Sequence, residues 1–168
     1  MIECIIILVA KGEKTCMELY AKTILSCYTM LDKIVNQIEN LIKTKARNSF
    51  YDYSSTLKQS DKILKLVNVR IDLIELKEIA KNTLNLLNNE QKTLIFYKYF
   101  RILPKDKNFD LSSRNYFRKQ IKALNKFSSL LKSKGFNEEW FEKTYLNISF
   151  ILGTYNKVVS EQGKKHVA

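Results

Sequence analysis

Asp110–Gly135 reads DLSSRNYFRKQIKALNKFSSLLKSKG. Ser112 or Ser113 offers a side-chain oxygen to cap a helix that begins here, and Gly135 suits the left-handed position beyond its end. At 100° per residue, Phe117, Ile121, Leu124, Ser128 and Leu131 fall within about 40° of one line. Arg118, Lys119, Lys122 and Lys126 fall roughly 100–200° away on the same wheel, and Arg114 flanks the stripe. The pattern predicts a helix from Ser112 or Ser113 to about Lys134. It would dock through Phe117, Ile121, Leu124 and Leu131 and present cations outward.

The rest of the chain repeats the helical period. Glycine occurs four times and proline once in 168 residues, too few turn formers for an all-β fold. Hydrophobic residues are 45% of the chain, enough for a core. The expected architecture is all-α, a single compact helical domain. A long antiparallel helical hairpin packs on a smaller, partly helix-turn-helix-like C-terminal half. Residues 1–16 form a peripheral segment, 17–87 the hairpin, 88–135 the basic helical unit and 136–168 the C-terminal helices and tail.

The net charge of +12 is unevenly spread. From Lys92 to Lys134 twelve basic residues face only Asp106 and Asp110, a net +10. Three of the five arginines, Arg101, Arg114 and Arg118, lie in this span. Coding drift in an AT-rich genome raises lysine everywhere, but it does not concentrate charge. Such a concentration favours an anionic partner or simply solubility.

Taken in order, residues 1–16 hold the apolar run Ile5–Ala10. It is shorter than the roughly 20 residues a membrane span needs, and no basic start marks it as a secretory signal. It reads as a short strand or a frayed helix end, or translation begins at Met17. Met17–Lys45 is expected to be one long helix, with Ile24, Tyr28, Leu31, Val35, Ile38 and Ile42 on its core face. Asn48–Ser55 is a polar and aromatic break. There Phe50, Tyr51 and Tyr53 either stack on bases or fold back over the helices, and Ser54 or Ser55 caps the next helix.

Thr56–Leu87 is expected as a second long helix. It carries two apolar stripes: Leu57, Leu64, Val67, Ile71 and Ile74, and Leu66, Leu73, Leu76, Ala80, Leu84 and Leu87. Both would be covered if this helix is central. Asp72, Glu75 and Glu78 read as a solvated, salt-bridged face beside Arg70, Lys77 and Lys81 rather than as metal ligands. Asn88–Arg101 forms a third helix, capped at Asn88 or Asn89 with Glu90 in its first turn. Arg101–Leu111 is a loop containing Pro104. Asn137 caps a short helix with Glu138, Glu139 and Glu142 near its start, and Trp140 and Phe141 pack back on the body. A last helix runs from about Ser149 to Gln162, mildly interrupted at Gly153, and 164–168 is a frayed tail.

Catalytic chemistry finds little support. His166, near the terminus, is the one histidine, which removes histidine acid–base chemistry and most zinc sites. No glycine-rich phosphate loop exists. Cys4, Cys16 and Cys27 are odd in number and fit no metal spacing, so a reducing cytoplasm is the simple reading. The chain is expected to be no enzyme, to need no cofactor or metal, and to bind neither a membrane nor a small-molecule substrate.

A recognition helix needs a docked face, an N-terminal end that reaches base edges, and flanks that hold phosphates. Ser113, Arg114, Asn115 and Arg118 stand at the entering end; arginine to guanine and asparagine to adenine are common pairings. Lys119, Lys122 and Lys126, with Lys105 and Lys107 from the loop, would neutralise phosphates. The alternative is an ordinary surface helix with a lysine-rich outer face.

LNLLNNEQKTLIFYKYF followed by LSSRNYFRKQIKALNKFSSLL resembles the fourth conserved region of sigma-70-type factors, and more closely the sigma-like phage late-transcription regulators of the ArpU and RinA type. The matching pieces are Phe96–Phe100, Ser113 to Arg118, and Ala123-Leu124, within about residues 84–131. The resemblance implies a DNA-binding transcriptional regulator whose helix 112–134 contacts duplex DNA, with RNA polymerase or a second copy of the chain as a further partner. The family places a full helix between the two parts. Here about a dozen residues with a proline stand there, so the first helix of the unit is expected to be shortened or missing. The other functional expectation is a structural or adaptor protein that binds a partner or self-associates through the Leu31 and Val35 stripe.

Overall fold

A computed structural model describes residues 19–48, 56–103 and 113–165. Among them are helices α1 (Leu19–Tyr28), α2 (Leu31–Asn48), α3 (Thr56–Asn85), α4 (Asn89–Phe100), α5 (Ser113–Ser133), α6 (Glu138–Tyr145) and α7 (Ser149–Lys165), and no strand. The architecture is the all-α one that the helical periodicity and the scarcity of glycine and proline imply. The Ile5–Ala10 run, Cys4, Cys16, Met17, residues 49–55 of the Asn48–Ser55 break, Pro104, Lys105, Lys107 and His166 lie outside the described residues.

The α2–α3 hairpin follows from matched apolar stripes. Leu31, Val35 and Ile38 of α2 are buried, as are Leu73, Leu76 and Ala80 of α3. Arg70 meets Glu39, and Lys77 meets Asp32, so residue numbers fall on one helix as they rise on the other. The pairing is therefore antiparallel. Such exposed ion pairs contribute at most about 1 kcal/mol each, and apolar burial dominates the hairpin.

Met17–Lys45 is not one helix. The chain turns at Thr29 and Met30, where the Met30 amide donates to the Cys27 carbonyl at 2.8 Å, before α2 begins. Neither glycine nor proline marks the break; its cause is tertiary. α2 stays with α3, whereas α1 enters the body and packs on α3, α4, α5 and α7. Tyr20, Ala21, Ile24, Leu25 and Cys27 of α1 are all buried, far more of its circumference than of α2's.

α3 departs from expectation in a second way. Leu73, Leu76, Ala80 and Leu84 of one stripe are buried, with Leu87 just beyond the helix, and Leu66 is half-buried; of the other stripe, Leu64, Ile71 and Ile74 face solvent and Val67 is half-buried. α3 is covered on one side, and only the nearer stripe is core. Glu78 pairs with Lys81, as a salt-bridged face requires.

Local signals place the remaining ends. Asn88 closes a capping box with Gln91: its side chain accepts from the Gln91 amide at 2.8 Å, and its own amide donates to Gln91 Oε1 at 3.3 Å. Asn137 accepts from the Trp140 amide at 2.9 Å, with Glu138 and Glu139 in the first turn of α6. Phe141 is buried and Trp140 packs against the core. α7 runs through Gly153 without interruption, since a lone glycine lowers helix propensity without breaking backbone hydrogen bonds.

Candidate nucleic-acid interface

α5 ends as its glycine dictates. Gly135 has φ +86°, its amide donates to the Lys132 carbonyl, and the Phe136 amide reaches back to Leu131. Those two bonds make a Schellman stop. The helix is held from inside by Gln120, Ala123, Leu124, Phe127, Ser128 and Leu131, all buried. Tyr20 ties α1 to it, its hydroxyl donating to the Ser128 carbonyl at 3.3 Å. Burial, more than any neighbouring charge, pushes the Tyr20 hydroxyl's pKa up.

The docked face is rotated from the expected one. Leu124 and Leu131 are in the core, but Phe117 is 58% exposed and Ile121 53%. The buried arc is centred nearer Gln120 and Phe127, roughly 40–60° round from Leu124. The signal was present in Ala123 and Phe127; polar Gln120 in the middle of that arc masked it. α4 claims this side. Glu90 accepts from Lys119 Nζ at 2.7 Å, and the Tyr97 and Tyr116 rings meet edge-on at 5.9 Å. Partial burial, then Tyr97, raises the Tyr116 hydroxyl's pKa.

The site residues separate accordingly. Asn115, Arg118, Lys119, Lys122 and Lys126 are all exposed on α5. Arg118 Nη2 donates to Asn115 Oδ1 at 3.3 Å, one turn back, so these two polar groups sit together near the entering end. Lys119 is committed in part to Glu90 rather than free for a phosphate. Lys122 and Lys126 make no ion pair with an acidic side chain among the described residues. Ser113 and Arg114 occupy the first turn of α5. Lys105 and Lys107 lie outside the described residues. The sequence pattern did not mark Phe117 and Ile121 as surface residues; they border the cationic arc and give it an apolar edge.

No cluster of three or more His, Cys, Asp or Glu side chains that would hold a metal occurs among the described residues. No helix among them is long and apolar enough to cross a membrane. Cys27 is buried beside Thr154, and desolvation pushes its thiol up to about 11, the opposite of a reactive thiolate. Comparison with known families, curated proteins and solved structures finds no match to this chain.

Proposed function

We propose that this chain is a non-enzymatic nucleic-acid-binding protein that contacts duplex DNA through the outward face of α5, as a sigma-like or phage-type transcriptional regulator. The supporting observation is the run of exposed Arg118, Lys122 and Lys126 on a helix whose opposite face is locked into the core. A helix locked into the core presents its cations to backbone phosphates without first having to order itself. Arg118 and Asn115 at the entering end supply donors for base edges, and Phe117 supplies an apolar surface for thymine methyl groups. In this reading phosphate contacts provide most of the affinity and the Asn115–Arg118 end provides preference.

Titration of a labelled duplex at several salt concentrations tests the proposal. Affinity should fall steeply with salt, and Lys122→Ala should reduce the log–log slope by roughly one unit. The double change Lys122→Glu and Lys126→Glu should weaken all duplexes at least about tenfold, whereas Arg118→Ala should also flatten sequence preference. Absence of duplex binding at low salt ends the proposal.

A further inference from the structure

The face of α3 turned away from the core carries a second, unassigned surface. Leu64 is 58% exposed, Ile71 52% and Ile74 38%, with half-buried Val67 between them. Their spacing alternates three and four, so they form one ridge along the helix. Single exposed apolar residues need no explanation, but an aligned ridge of them does. Ser60 continues the ridge toward the N-terminus of α3, and Glu78 stops it at the other end.

The flanking charges name the occupant. With Leu64 and Ile71 at a positions and Val67 and Ile74 at d positions, Arg70 is a g residue and Glu75 an e residue. In a parallel pair of helices each g residue meets the e residue five places further along its partner, and such pairs set orientation. Arg70 of one copy then meets Glu75 of the other, twice over. The antiparallel pair that stacks the same layers sets Arg70 against its own counterpart and Glu75 against Asp61, and both contacts repel. Arg70 has capacity for the contact: its ion pair to Glu39 is long at 3.5 Å, and its side chain remains 36% exposed.

We infer that this ridge is a self-association surface, on which a second copy of the chain docks with the two α3 helices parallel. The contact is small. Four apolar side chains per copy cover well under the roughly 800 Å² per partner of a standard interface. Association is therefore expected to be weak and to need high protein concentration. The ridge shares no residue with the cationic arc of α5, so the test of self-association needs no nucleic acid.

Sedimentation equilibrium of the full chain, from about 1 µM to about 1 mM, tests the inference. A reversible monomer–dimer equilibrium is expected. Ile71→Glu, which changes a solvent-facing side chain, should weaken it more than about tenfold, and Glu75→Lys by about threefold to tenfold. Leu152→Glu, on the exposed side of α7, should leave it unchanged. Circular dichroism melts establish that each variant is folded. Orientation is read by Ser60→Cys in a Cys4→Ser, Cys16→Ser background. Parallel helices place the two new thiols in one layer and should cross-link on mild oxidation. Antiparallel helices hold them about 27 Å apart. A monomer at every concentration, a dimer indifferent to Ile71→Glu, or failure of Ser60→Cys to cross-link overturns the inference.

Discussion

Arg101 is the non-glycine residue with positive φ among the described residues, at φ 56° and ψ 30°, where it caps α4 and its amide donates to the Phe96 carbonyl. An L-residue in that conformation costs roughly 1–2 kcal/mol. Glycine removes that cost but adds about 0.4–1 kcal/mol of unfolded-state entropy. Arg101→Gly should therefore stabilise the fold by about 0.5 kcal/mol, read as a higher urea midpoint at unchanged slope. Gly135 is the mirror case. A Cβ there meets nothing within 4 Å, yet φ is +86°, so Gly135→Ala should destabilise by about 1 kcal/mol through backbone strain alone. The two substitutions should move the midpoint in opposite directions. If Arg101→Gly also weakens duplex binding, the strained arginine is there for its charge.

At the scale of the element, α7 tolerates its glycine and α5 turns on its polar residues. Gly153 is exposed, helical, and open to a Cβ with nothing within 4 Å. Gly153→Ala should raise stability by about 0.5–1 kcal/mol, because glycine loses more backbone freedom on folding than alanine. A thermal melt checks it, and a loss of stability would mean that α7 is not a continuous helix at this point. In α5 the outward charges, the docking of Leu124 and Leu131 and the stop at Gly135 were legible. Lys122 and Lys126 face outward because burying an unpaired ammonium is prohibitive. Phe117 and Ile121 were assigned to the core by spacing, and α4 decided otherwise. It covers the Tyr116, Gln120 and Ala123 side and leaves the neighbouring apolar residues exposed.

At the scale of the whole molecule, α1 joins the halves. It packs on α3, α4, α5 and α7 and buries the Cys27 thiol. The folded protein holds that thiol's pKa at about 11 against 9.0 for an ordinary cysteine, chiefly by desolvation. A raised folded-state value means that the stability contribution is complete below about pH 9 and is lost as pH rises towards 11. Burial of Tyr145 raises its hydroxyl too, aided by Glu75 and Asp72, and adds a loss of the same sign above pH 10.0. Unfolding free energy should fall between pH 9 and 11, by on the order of 2 kcal/mol from Cys27 alone. Denaturant titrations of the parent and Cys27→Ala at both pH values separate the thiol's part. An equal slope in the two would assign the loss to the tyrosines. The buried stripe has a further consequence. Leu31 and Val35, a partner face on the sequence pattern, are core, so a charge there unfolds the chain rather than dissociating it. By itself the sequence determined the all-α class, most helix limits, the caps at Asn88 and Asn137, the stop at Gly135 and the outward lysines of α5. These are set by local backbone chemistry and by the cost of burying charge. Only the tertiary structure decided the break at Thr29–Met30, which stripe of α3 is covered, and which edge of α5 docks. Helical spacing shows that apolar residues share a face, but which face is buried depends on the helices that arrive to cover it.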